Sequence, residues 1–293
     1  MEQMVVLITG CSSGIGLSLA VRLASDPSKS YKVYATMRNL AKKERLLECV
    51  KNFHKDTLDI LQMDVTDPQS ILDAREKIRE ERVDILVCNA GVGLMGPLEA
   101  LSQDTMRQIL DVNLLGTIST IQTFLPDMKA RRSGHILVTG STGGLQGIPF
   151  NEVYCASKFA VEGVCESLAI LLQHFNIHVS LIECGPVNTH FLSNLKKTEP
   201  AELSLLQLDP RTRSLFDTYL QHCATIFQTV AQDPEDIMQV FLEAIESPSP
   251  SLRYYTNSTL LPLSSLKLAM HDGSQYIRAM SKFIFSTPST EEG

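Results

Sequence analysis

Tyr154 and Lys158 stand four positions apart in "NEVYCASKFAVEG", residues 151–163, and their chemistry is the first thing this sequence offers. The apolar residues that follow keep helical spacing, so a phenol and an ammonium share one helix face, one turn apart. Such a pair is either a solvated surface contact or a proton donor beside a fixed positive charge. Ser141 lies upstream, just past the strand-like "HILVTG", and Asn113 sits in the otherwise apolar "DVNLLG". A strand end and the helix after it can bring hydroxyl, phenol and ammonium together at one sheet edge, where a proton can be moved onto or off an oxygen. Taken alone, Ser141 is also a turn residue and Asn113 a side chain satisfying buried backbone.

A second group of residues has phosphate chemistry. "VVLITGCSSGIGLSLA" puts Gly10, Gly14 and Gly16, with Ser12, Ser13 and Ile15 between them, at the junction of a strand and a helix. Glycines there allow a tight turn and let backbone N–H groups approach a pyrophosphate at the helix N-terminus. The spacing is GxxxGxG rather than GxGxxG. The second strand ends Ala35-Thr36-Met37-Arg38, with a cation where a carboxylate would hold a ribose 2′-hydroxyl. Arg38, with Ser12, therefore favours NADP(H) over NAD(H). Asp64 and Val65 follow the third strand, where Asp64 either accepts from an adenine amino group or caps the helix that begins near Pro68. Asn89, Ala90 and Gly91 follow the fourth strand at the edge where open α/β sheets bind ligands.

These residues need a frame. Continuous apolar runs at 4–9, 32–36, 58–63, 84–88, 135–139 and 179–182 read as strands covered on both faces. Amphipathic segments near 14–25, 68–80, 103–126 and 152–174 read as the helices between them. The alternation predicts an α/β fold: a single Rossmann-type, doubly wound parallel sheet with helices on both faces. Residues 188–233 read as a polar, helix-prone insertion on the substrate side, followed by a helix near 234–245 and a last strand near 252–256. Residues 260–285 read as a frayed terminus. No linker separates two units, so one domain is expected over 1–293. Its core would span 4–195 and about 234–258, its insertion about 190–230, and its C-terminal segment 259–293.

The chain has 293 residues, 44% hydrophobic and 20% charged, with a net charge of −7. That composition fits a globular core and argues against a nucleic-acid partner, which calls for a basic face. Seven scattered cysteines, none in CxxC spacing, suggest neither a disulfide framework nor a metal site. No secretory signal is read, and no apolar run approaches the about 20 residues that span a bilayer. A soluble, cytoplasmic protein is expected.

TGxxxGxG, Asn-Ala-Gly, Asn113, Ser141 and YxxxK, in this order, resemble the short-chain dehydrogenase/reductase family over about residues 4–195. "VCNAGVGLMGPLE", "FLPDMK", "VYCASKF" and "LIECGPV" are similar to its steroid and retinoid branch. The resemblance implies reversible NADP(H)-dependent reduction of a 17-ketosteroid to the 17β-alcohol, estrone to estradiol, with all-trans-retinal reduction as the rival. A non-catalytic NADP-binding regulator is the alternative outside enzymes. Tyr154 would be the general acid and Lys158 would lower its pKa from an ordinary value of about 10 while holding the nicotinamide ribose. Ser141 would hold the substrate oxygen, and Asn113 a water for proton relay. Thr189 matches a cofactor contact, or is simply a helix-start threonine. The substrate wall would use Leu145, Ile148, Pro149, Val187, Phe191, Leu220, Phe227 and Met280, a slot for a small lipophilic ligand. His222 matches a histidine that holds the far steroid hydroxyl, or is a half-exposed helix residue, and Phe283 stands where that branch has an acid. The family also implies a homodimer through the helices around 103–126 and 152–174.

Overall fold

The apolar runs become interior strands because helices cover both of their faces. In the computed structural model, which describes residues 2–50, 56–189, 205–259, 261–269 and 272–285, these are β1 (Met4–Ile8), β2 (Tyr31–Met37), β3 (Leu58–Gln62), β4 (Ile85–Cys88), β5 (Gly134–Thr139), β6 (Ile177–Glu183) and β7 (Arg253–Tyr255). They form one seven-stranded sheet ordered β3-β2-β1-β4-β5-β6-β7, and every pairing is parallel. The order reverses between β1 and β4, which opens a crevice at their carboxyl ends.

The helices in chain order are α1 (Gly14–Ala24), α2 (Glu44–Cys49), α3 (Pro68–Glu76), α4 (Gln103–Leu110), α5 (Gly116–Arg131), α6 (Thr142–Leu145), α7 (Glu152–Leu172), α8 (Pro210–Thr229), α9 (Pro234–Glu246), α10 (Leu261–Ala269) and α11 (Ser274–Phe285). An Asp-Pro pair starts three of them. Asp67 caps α3 by accepting from Gln69 N, Asp209 caps α8, and Asp233 closes a capping box with Asp236 on α9. One core cluster lies between the sheet and α1 and α9, around Leu19, Leu23, Ile237 and Phe241. The other lies beneath α3, α5 and α7, around Ile71, Phe124, Val161 and Cys165.

Two elements differ from the sequence reading. The segment expected as one helix over 103–126 is α4 and α5 joined by a π-turn at Asp111–Leu115, and α5 runs on to Arg131. The C-terminal segment expected to fray forms α10 and α11 instead. Tyr276, Met280 and Ile284, one turn apart, bury themselves against Phe216 and Tyr219 of α8, so this segment has an apolar face with a partner. The expected insertion is occupied by α8 from residue 210, and its earlier part, including Phe191, lies outside the described residues.

Candidate active site

The glycine turn between β1 and α1 can be only glycine at two points. Gly10 and Gly14 have φ of +75° and +61°, in the left-handed region that side chains disfavour. A Cβ on Gly10 would stand 2.8 Å from Ala90 Cα, and one on Gly14 3.2 Å from the Thr189 methyl carbon. Gly16 is fixed by contact: a Cβ there would meet the Asn89 amide nitrogen and lie 2.7 Å from Gly10 O. Ser13 occupies the N-cap of α1 without a side-chain bond to the first turn. The N–H groups of that turn are thus open to an anion, and the helix dipole favours one. Ser12 and Ile15 are half-buried beside it. Cys11 N donates to Thr36 O, which draws the turn to the end of β2, and Arg38 is exposed just beyond. This cradle fits a dinucleotide pyrophosphate.

The other expected cofactor residues divide by how the fold uses them. Asp64 does not cap α3, since Asp67 does. Its Oδ1 accepts from Thr66 N at 3.0 Å and Thr66 Oγ1 at 2.7 Å. Val65 is buried, with a methyl carbon 2.7 Å from where a Cβ on Gly116 would stand, so its side chain packs against α5. Asn89 braces three strand ends: Nδ2 donates to Thr9 O at 2.9 Å and Oδ1 accepts from Thr139 Oγ1 at 3.2 Å. Thr9 Oγ1 accepts from both Asn89 N and Ala90 N. Gly91 separates Asn113 from Lys158, since a Cβ on it would lie 3.5 Å from Asn113 Oδ1 and 4.0 Å from Lys158 Nζ.

Ser141, Tyr154, Lys158 and Asn113 gather at this edge. Ser141 leaves β5 in extended backbone and caps the one-turn helix α6, its Oγ accepting from Gly143 N at 3.1 Å. Gly143 leaves room for the phenol: a Cβ there would stand 3.1 Å from Tyr154 Cε1 and 3.4 Å from Ser141 Oγ. Tyr154 and Lys158 lie on the inward face of α7, and Lys158 Nζ donates to Thr139 O at 2.9 Å. Burial pushes the Tyr154 phenol well above its ordinary value, and the Ser141 hydrogen bond pulls the other way. The Lys158 ammonium is held by the Thr139 carbonyl, and burial pulls its own pKa down. The phenol therefore keeps its proton at neutral pH, the state an acid needs.

Asn113, 1% exposed, sits in the π-turn, a distortion common at functional sites. Its Nδ2 donates to Val92 O at 2.9 Å and Ser157 Oγ at 3.1 Å, and its Oδ1 accepts from Val92 N at 2.8 Å. Both side-chain donors are spent on the fold, so the amide keeps one oxygen lone pair for any water. Ser157 and Thr139 were missed by the sequence reading. Ser157, fully buried, also donates to Tyr154 O at 2.6 Å and so ties Asn113 to the catalytic helix. A serine between Tyr and Lys and a threonine at a strand end carry no signal that separates them from ordinary core residues.

The substrate side is apolar. Phe150, at φ +61°, turns its ring onto Phe216 and Tyr219, 5.0 and 5.4 Å between centroids. Ile148, Leu220 and Met280 belong to the same cluster. Leu145 and Pro149 are half-buried between it and Ser141, and Leu145 O accepts from Lys267 of α10. His222 is half-buried, its pKa lowered by burial, with its ring edge-on to Phe283 at 4.9 Å. Phe227 is half-buried farther along α8. Val187 is a correction: it packs into the core beneath α1 and α9 and bridges to Gln232, away from the slot.

A glycine turn fit for a dinucleotide pyrophosphate, a switch-point crevice and a hydroxyl–phenol–ammonium group are the features of an oxidoreductase of the dehydrogenase class. The chain belongs to the short chain dehydrogenase family, whose model matches residues 4–200. It is 54% identical to 17-beta-hydroxysteroid dehydrogenase type 1 of Homo sapiens over 97% of this chain and 87% of that protein. It is 46% identical to Retinol dehydrogenase 8 of Homo sapiens over 97% of this chain and 91% of that one. A short chain dehydrogenase/reductase from Burkholderia phymatum, solved in complex with NAD, superposes with TM-score 0.75 at 24% identity, covering 91% of this chain and 93% of its own. Serine dehydrogenase complexed with NADP+ superposes with TM-score 0.71 at 28% identity, covering 86% and 94%. A nicotinamide cofactor is common to these neighbours. Among the described residues no helix is long and apolar enough to cross a membrane.

Proposed function

We propose that this chain reduces a 17-ketosteroid to its 17β-alcohol with NADPH, estrone to estradiol being the reference reaction, and runs the reverse with NADP+. The observation that carries the proposal is the Ser141–Tyr154 hydrogen bond beside the half-buried Lys158, next to the apolar cluster of Ile148, Phe150 and Leu220. The glycine turn and the open first turn of α1 would hold the pyrophosphate. Arg38 would meet a 2′-phosphate, Asp64 the adenine, and Thr189 and Lys158 the nicotinamide end. The nicotinamide supplies a hydride to the carbonyl carbon. Ser141 orients the carbonyl oxygen, and Tyr154 delivers the proton to it as negative charge develops. Lys158 would fix the ribose side and favour the phenolate that oxidation needs, while Asn113 holds α4–α5 against α7 through Val92 and Ser157. Leu115, Ile170 and Leu171, exposed on the helices of the expected homodimer, support that assembly.

The ring of Phe283 against His222 favours a second reading. An apolar group there suits a substrate without a far hydroxyl, which points to an all-trans-retinal reductase. Steady-state kcat/KM for estrone, androstenedione and retinal, each with NADPH and NADH, tests both. A steroid ketone with NADPH is expected to give the highest value. Retinal giving the highest would favour the second reading, NADH giving it would remove the role of Arg38, and no turnover of any would leave a cofactor-binding regulator.

A further inference from the structure

Behind the catalytic pair, α7 continues as a column of ionisable groups at four-residue spacing: Tyr154, Lys158, Glu162 and Glu166. The column ends at Arg253 of β7. Its Nε and Nη2 donate to Glu162 Oε2 at 3.0 and 2.6 Å, and it also pairs with Glu166, which is half exposed. Across from this column, on β6, lies Glu183. It is 0% exposed, and among the described residues no hydrogen-bond donor reaches either of its oxygens. It is wedged directly behind Ser141, since a Cβ on Gly140 would stand 2.6 Å from Glu183 Oε2. Gly144 leaves similar room on the other side, its Cβ position lying 3.2 Å from Lys158 O and 3.3 Å from Glu162 Cγ.

A buried carboxylate without a donor is costly, and a second carboxylate is its polar neighbour. Glu162 and Glu183 can bond only through a shared proton. The groups facing Glu183 are Tyr154, Lys158, Glu162 and Cys165 from α7, Arg253 and Tyr255 from β7, and Cys184 on its own strand. Arg253 is already engaged by Glu162 and Glu166, and Lys158 by Thr139.

We propose that Glu183 is a positioning residue for the Tyr154–Lys158 pair: a neutral carboxylic acid that shares its proton with Glu162 and, by staying uncharged, keeps a second negative charge away from the phenol. The inference rests on Tyr154 being the proton donor. Burial first, then the hydrogen bond and charge of Glu162, raise Glu183 to about 9, against the pull of Arg253 and Lys158. Ionised Glu183 makes Tyr154 harder to deprotonate, so it works against alcohol oxidation, which needs the phenolate.

Two variants separate this role from simple packing. Glu183→Gln keeps the shape and is uncharged as the acid is, so the rising limb of kcat/KM against pH for alcohol oxidation is expected to superpose on wild type below pH about 9. Glu162→Gln removes the group that holds the proton on Glu183. Glu183 then ionises earlier, and the same limb is expected to move up. Infrared spectroscopy supplies a readout without turnover: a protonated-carboxyl band at neutral pH that fades as pH passes about 9 and is missing in Glu183→Gln. A Glu183→Gln limb displaced from wild type below that pH, a Glu162→Gln limb that does not move up, or a wild-type spectrum without the band, would overturn the inference. Should Glu183→Gln not fold, the Glu162→Gln limb and the wild-type band decide. The band present in a protein that oxidises no alcohol and reduces no carbonyl supports the neutral acid and overturns the proposed function instead.

Discussion

At the carboxyl ends of β1, β4 and β5, polar side chains run from strand to strand: Thr9 to Asn89, Asn89 to Thr139, Thr139 to Lys158, and Asn113 to Ser157 and Val92. On the far side of Phe150 the cap of α8, α10 and α11 is built from apolar contacts around Phe216, Tyr219, Tyr276 and Met280. Among the described residues a few hydrogen bonds fasten it to the loop after Ser141: Ser264 to Gln146, Lys267 to Leu145 O, Tyr276 to Gly147 O, and Asn151 to Tyr219. The first region is directional, so small displacements are felt at the reacting atoms. The second is fixed by volume and tolerates changes of shape with a graded loss. Chemistry is anchored in the one, and choice of substrate in the other.

Gly16→Ala breaks the polar side most severely. Its methyl would collide with the Asn89 amide that joins β1 to β5, and kcat/KM is expected to fall by about 100-fold, with weaker NADPH binding by fluorescence titration. Unchanged NADPH affinity would mean that this bracing does not shape the cradle. Phe216→Ala, on the apolar side, is expected to cost about 3–5 kcal/mol of packing around Phe150. Thermal melting should register that loss, with a several-fold rise in KM for the carbonyl substrate and little change in NADPH affinity. A fall in NADPH affinity as large as that of Gly16→Ala would erase the distinction between the two regions.

The strands were readable because burial on both faces leaves continuous apolar runs, and the Tyr154–Lys158 pair because helical spacing is visible in sequence. The helix break at Asn113 was not, since a π-turn adds a residue without changing composition. Glu183 reads as the polar end of a strand. Only the fold reveals that it is buried beneath the catalytic pair, with Gly140 leaving room for its carboxyl group. The C-terminal helices carried a usable signal in Tyr276, Met280 and Ile284, obscured by the polar tail that follows. Val187 was misassigned because a valine after the Gly185-Pro186 turn looks the same whether it faces a slot or the core.

The measurement closest to the central claim is turnover by Tyr154→Phe with cofactor binding monitored alongside. The substitution keeps the ring beside Gly143 and deletes the hydroxyl that carries the proton, with its Ser141 hydrogen bond. The expected result is a loss of kcat of about 10²–10⁴-fold, with wild-type NADPH affinity and an unchanged melting temperature. Wild-type turnover in Tyr154→Phe would contradict the assignment of the phenol as the proton donor.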